Sequence, residues 1–149
     1  MAVSVKAIKL WRSEVANQPG ALAKVLAPLA QAGSDLQLLM GYRFHGNETR
    51  AAIEIFPVSG KKSIAAAQSV GLRASPLPAL LVEGDNRRGA GSAISQSIAD
   101  AGINMSFIVA QVVGRRFSAV FGFETDEDAR KAATLIKKAL AAKKSSKKK

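Results

Sequence analysis

The chain has 149 residues, 48% of them hydrophobic, a formal net charge of +11 and no cysteine. The absence of thiols excludes disulfides, thiol catalysis and thiolate metal sites together, and no apolar run approaches the roughly 20 residues of a membrane span. With no signal-peptide layout at its N-terminus, the sequence reads as soluble and cytoplasmic.

Residues 3–15 open with an alternation of apolar and polar side chains from Val3 to Lys9, the period of a half-buried strand. The run is longer than one strand needs. Asn17-Gln18-Pro19-Gly20-Ala21-Leu22 then punctuates, with Pro19 placed in the first helical turn. Leu22, Val25, Leu26 and Leu29 lay out a helical stripe to about Ala32, with Gly33 as a C-terminal stop and Pro28 predicting a kink. Leu36–Phe44 and Thr49–Val58 predict a strand hairpin turning at His45-Gly46-Asn47-Glu48. An Ala-rich helix over 61–70 and a short strand at Leu72–Ser75 follow.

The same order then restarts. A strand at Ala79–Glu83 leads to Asn86-Arg87-Arg88-Gly89-Ala90-Gly91, a helix over 89–101 stopping at Gly102, strands at Ile103–Val113 and Arg115–Phe123, and a helix over 126–142. Asp126, Glu127 and Asp128 suit the start of that last helix, where acids complement the positive end of the dipole. The offset of 69 residues, from Asn17 to Asn86, implies an internal duplication. We therefore expect one module over 1–76, a second over 77–142 and a disordered lysine-rich tail over 143–149. A fourth strand is visible only in the first copy. Either the second module lacks its last strand or another segment fills the place, for which residues 2–7 are the candidate.

This α+β order, βαββαβ written twice, predicts two ferredoxin-like modules, each an antiparallel sheet with its helices on one face. Asn17-Gln18-Pro19-Gly20-Ala21-Leu22, with Leu26 and Gln31-Ala32-Gly33-Ser34-Asp35-Leu36, resembles the signature of an ACT domain, a small regulatory module of amino-acid metabolism. Asn86-Arg87-Arg88-Gly89-Ala90-Gly91, with Asp100-Ala101-Gly102-Ile103-Asn104-Met105, resembles a second one. The resemblance implies binding of an amino acid or similar effector between paired modules. Its contacts would come from Asn17, Gln18, Pro19, Gly20, Ala21 and Leu22 with Asp35, and from Asn86, Arg87, Arg88, Gly89 and Ala90 with Asn104. Free N–H groups at Gly20-Ala21 or Gly89-Ala90 suit a carboxylate, and a nearby Asn or Asp can accept from an ammonium group. Two departures stand out: Arg88 replaces the usual proline and Gly91 the usual leucine. The second site should therefore prefer a more anionic ligand or bind nothing.

Each functional reading has a plainer rival. Asn17 and Asn86 could simply cap helices, Arg87 and Arg88 could be a solvated loop, and Gly89-Ala90-Gly91-Ser92 is a weak phosphate-loop match. His45, the only histidine, reads as an exposed turn residue. Trp11, Tyr42, Met40 and Met105 read as packing residues. No catalytic triad, acid–base pair, metal site or cofactor motif can be assembled. The sequence thus predicts a non-catalytic sensor, homodimeric through exposed sheet edges, acting on a separate protein target. The alternative is a polyanion- or nucleic-acid-associated basic protein, with contact by the tail.

Overall fold

A computed structural model describes residues 3–146 of the chain, with side chains to residue 141. In order, the elements are β1 (Ser4–Ile8), β2 (Trp11–Ala16), α1 (Ala21–Gln31), β3 (Leu38–Phe44), β4 (Asn47–Phe56), α2 (Lys61–Ser69), β5 (Arg73–Ala74), β6 (Ala79–Asp85), α3 (Ala90–Asp100), β7 (Met105–Val113), β8 (Arg116–Phe123) and α4 (Asp126–Ser146). They form two compact units, one of residues 9–76 and one of residues 1–8 with 77–149. Each unit holds one antiparallel four-stranded sheet.

In the unit of residues 9–76 the strand order is β3-β4-β2-β5. Alternation along β4 sends Ile53 and Ile55 to the face where Val25 and Leu29 of α1 and Ala67 of α2 pack, with Trp11 and Val15 of β2 against the same core. α1 is helical through Pro28. Gly33 lies at φ 79. The Ser34 N–H returns to the Leu29 carbonyl at 3.0 Å, a Schellman end that a left-handed glycine makes possible.

In the other unit the order is β1-β6-β8-β7. Leu80, Val82, Phe121 and Phe123 line the inner face of its sheet, against Ala90, Ile94 and Ile98 of α3 and Ala129, Ala132, Ile136 and Leu140 of α4. Both helices carry their apolar residues three or four apart, the spacing that forms one buried stripe. On the opposite face Phe107 crosses Gly122 so closely that a Cβ there would clash with the edge of the ring.

The fourth strand of this second sheet comes from the beginning of the chain. β1 pairs antiparallel with β6, from Ser4 opposite Glu83 to Ile8 opposite Ala79. It occupies the edge that β5 occupies beside β2 in the first sheet. The overlong run at 3–15 is thus two strands, and the chain changes sheet across Lys9-Leu10. This corrects the expected boundary at residue 1, because residues up to Ile8 belong with 77–149. It also answers the question of a missing strand: the second module is complete.

Of the tail expected over 143–149, residues 143–146 fall within α4, which runs to Ser146, while 147–149 lie outside the described residues.

Val5 is partly buried against the second core. Val5→Asp should cost on the order of 2 kcal/mol by placing a carboxylate there. Hydrogen exchange measured peptide by peptide should accelerate at β6, and unchanged protection of β6 would contradict the pairing.

Candidate functional site

The repeated motif forms the same turn twice. Gly20 sits at φ 87, ψ −8, and the Ala21 N–H donates to the Gln18 carbonyl at 3.2 Å. Gly89 sits at φ 78, ψ 3, and the Ala90 N–H donates to the Arg87 carbonyl at 3.2 Å. These are type II turns, which require a positive φ at the third position and hence glycine. The second position needs only an ordinary φ, which proline pre-sets and arginine can adopt. Arg88 in place of Pro19 therefore leaves the turn unchanged. Both helices begin one residue after the glycine, so Pro19 stands in the turn and not in the first helical turn.

This geometry also reassigns the donors. The N–H groups of Ala21 and Ala90 are already engaged, and the first intrahelical bonds run from Lys24 to Gly20 at 3.0 Å and from Ala93 to Gly89 at 2.9 Å. The donors left at the head of each helix are those of Leu22 and Ala23, and of Gly91 and Ser92.

Neither asparagine caps a helix through its side chain. Asn17 ties the end of β2 to β4, its N–H donating to the Thr49 carbonyl at 2.9 Å and its Nδ2 to the Glu48 carbonyl at 2.8 Å. The Asn86 N–H makes the corresponding bond to the Arg115 carbonyl at 2.8 Å.

Beside the first turn lies a cleft of about 370 Å³. Asn17, Gln18, Ala21 and Leu22 form one wall, Val15 and Ile53 are among its apolar lining, and Gly41, Tyr42 and Arg43 of β3 border it. Leu22, expected in the helix stripe, is 42% exposed and borders this space instead. Gly41 keeps the floor low, since a Cβ there would meet only the Ala52 carbonyl oxygen, at 3.9 Å. Arg43 lies 3.9 Å from Glu48 in a loose, exposed ion pair. Gly41, Tyr42 and Arg43 were not picked out as ligand contacts from the sequence. Only the register of β3 on β4, Gly41 opposite Ile53 and Arg43 opposite Ala51, brings them to this place.

No family model matches the sequence, and no curated protein matches it. Solved structures do match in fold. A Bacteroides thetaiotaomicron protein, BT0572, superposes with a TM-score of 0.73 at 13% identity, over 87% of this chain and 88% of its own. The regulatory subunit of aspartate kinase from Thermus thermophilus superposes with a TM-score of 0.62 at 18% identity, over 93% and 97%. That from Thermus flavus gives 0.59 at 18%, over 94% and 97%. The fold is that of tandem ACT domains.

Within each module the remaining motif residues are spread out. Asp35 and Asn104 are exposed in the loops that follow α1 and α3. An 11-residue helix rises about 16 Å, so each lies at the far end of its helix from the glycine turn. The structure does not bring them to the turn of their own module. Arg87 is turned to another task, its Nη1 donating to the Leu140 carbonyl of α4 at 3.2 Å. Among the described residues no group of three His, Cys, Asp or Glu side chains comes together, and no helix is long and apolar enough to cross a membrane.

Tyr42 joins the cleft to a polar cluster on the other face of the sheet, where Arg12, Tyr42 and Glu54 fall by strand alternation. Its hydroxyl donates to Glu54 Oε2 at 3.0 Å. Arg12 pairs with Glu14 at 2.6 Å and covers the Phe44 ring at 5.6 Å. Burial raises the Tyr42 phenol above the ordinary value of 10.0, and the Glu54 carboxylate adds to this against the opposing pull of Arg12. The fold favours the neutral phenol. Its contribution to stability is complete below about pH 10 and is lost as pH rises through the folded midpoint. Because Tyr42 is the only tyrosine, an alkaline absorbance titration reads it directly. The midpoint should lie above that of the denatured chain, and Glu54→Gln should narrow the gap; a native midpoint at or below the denatured one would refute this environment.

Proposed function

We propose that this chain is a non-catalytic regulatory protein that binds a small amino acid or related metabolite in the cleft at the head of α1. The observation that carries the reading is the meeting of Asn17, Gln18, Ala21 and Leu22 with Gly41 and Arg43 around one open space. A ligand carboxylate is served by the uncommitted N–H groups of the first helical turn and by the Arg43 guanidinium. The Gln18 side-chain carbonyl offers an acceptor for an ammonium group, and Val15, Leu22 and Ile53 offer apolar surface for a side chain. Pro19 and Gly20 shape the turn that presents these groups. Asp35 would contribute only from a neighbouring module.

The fold likeness to regulatory subunits of aspartate kinase supports a regulatory role over a catalytic one. A cytoplasmic setting is part of the same proposal. Coupling to a separate protein target requires only that the ligand favour one of two arrangements.

We assign the second motif a structural part. The offset that relates Asn17 to Asn86 places Ala110 and Val112 where Gly41 and Arg43 stand, so that module lacks both the low floor and the cation. Asn86 bonds to Arg115 in the turn before β8 and Arg87 to Leu140 of α4, so Arg88, Gly89, Ala90 and Asn104 are assigned to holding that turn and not to a ligand.

A thermal-shift screen of the standard amino acids and their dicarboxylic relatives tests the proposal. At a hundredfold excess over Kd, binding stabilises by about 2.7 kcal/mol. Gly41→Leu should abolish the shift by filling the floor, and Arg43→Ala should weaken binding by about tenfold or more through loss of a charge-assisted contact. A screen with no stabilising compound, or a shift untouched by both variants, would sink the cleft as the site.

We further propose a homodimer that pairs through β7. The other sheet edges carry features that discourage pairing: Lys6 on β1, a length of two residues in β5, and Arg43 with a register shift on β3. From Phe107 to Val113 β7 is regular and uncharged, with Ile108 48%, Val112 53% and Val113 68% exposed. An antiparallel self-pair centred on Val109 would set no like charges against each other. Light scattering should give a dimer for the natural chain and a monomer for Val109→Lys; a monomer in both would overturn this arrangement.

A further inference from the structure

The outer face of α4 is the most strongly charged surface left unused by the proposed sensor. After Asp128 the chain has no acidic residue, yet it contains Arg130, Lys131, Lys137, Lys138, Lys143, Lys144, Lys147, Lys148 and Lys149. Along the sequence these look like scattered pairs. Folding α4 aligns them, because residues seven apart return to nearly the same side of a helix. Arg130 and Lys137 head one column, which the backbone register extends to position 144, and Lys131 and Lys138 form a second beside it. All four side chains are exposed. Lys131 has Glu127 at 3.2 Å, whereas Arg130, Lys137 and Lys138 have no ion-pair partner among the described residues.

The opposite side of α4 is fully used. Ala129, Ala132, Ile136 and Leu140 are buried in the core of their own module, so the helix has no apolar face to insert into a lipid surface. Its outer face also lacks the aromatic and large apolar anchors that centre a protein interface, where lysine is depleted. What remains is a row of point charges. From position 130 to 138 it extends about 12 Å, a length over which duplex DNA presents on the order of seven phosphate charges.

We infer that the outer face of α4 binds the phosphate backbone of a double-stranded nucleic acid, with little dependence on sequence. This gives the chain a second ligand class on an element separate from the cleft, and it stands whether or not the cleft binds an amino acid.

The test is fluorescence anisotropy of a labelled mixed-sequence DNA duplex of about two helical turns, titrated with the full chain at several salt concentrations. Affinity should fall steeply with salt, with a log–log slope of about −3 or steeper. The Lys137→Glu, Lys138→Glu double variant should lose about tenfold or more in affinity at low salt. The Lys61→Glu, Lys62→Glu double variant, identical in net charge but altered on α2, should bind like the natural chain. Equal losses in the two variants would reduce the effect to net charge and overturn the inference. Full binding by the α4 variant, with loss only on removal of residues 143–149, would place binding in the terminal lysines alone and overturn it too. Binding to vesicles of mixed anionic and zwitterionic lipid, with none to the duplex, would assign the face to a membrane and reject nucleic acid.

Discussion

Five residue pairings between Ser4–Ile8 and Ala79–Glu83 complete the second module. A ferredoxin-like sheet has to be wide enough for two helices to bury their apolar stripes on it. α3 and α4 together present Ile94, Ile98, Ile136 and Leu140 to that surface. Without β1, the buried strand β6 would become an edge, with unpaired backbone groups beside Leu80 and Val82. The first module closes the same edge with β5, only two residues long. In the second, the described residues from Asp126 to Ser146 form one helix and not a closing strand. The N-terminal strand takes the position, and the duplication is thereby rearranged: the second module begins before the first.

The second organising constraint is the glycine turn at the head of each first helix. A type II turn places one residue at positive φ and commits one helix N-terminal N–H to a carbonyl within the turn. Gly20 and Gly89 meet that demand alike, so the backbone of the two copies is equivalent. Their side chains are not. Around Gly20 the wall of the turn faces Gly41 and Arg43 across an open cleft. Around Gly89 the turn opens at Arg87, which reaches the Leu140 carbonyl and fastens the turn to α4. One copy has a ligand-sized space with a cation at its rim, and the other commits Arg87, which opens its turn, to a hydrogen bond with α4.

Charge follows the same division of labour. α4 buries one side in its own module and leaves every charged residue from Arg130 to Lys138 on the other. A helix already anchored by Ile136 and Leu140 can carry a dense row of like charges, since burial of the apolar stripe outweighs the modest repulsion between exposed lysines.

Local chemistry made most of the fold legible in the sequence. Period-two alternation marked the strands, the three-and-four spacing of Val25, Leu29, Ile94 and Ile98 marked the helices, and glycines at 33 and 102 marked where two of them end. The repeated loop could be found because a positive-φ turn admits few residues, and it was in this loop that the sequence located one wall of the cleft. Tertiary structure decided the rest. Whether residues 4–8 join β2 or β6 depends on which edge is open, a fact contributed by residues more than seventy positions away. Gly41, Tyr42 and Arg43 reach the cleft only through the register of β3 on β4, which no local pattern specifies. Arg87 looks like a ligand contact in the chain because the carbonyl that accepts its hydrogen bond belongs to Leu140. Sequence determines what each segment is able to form; pairing between distant segments determines which of its groups remain free to act.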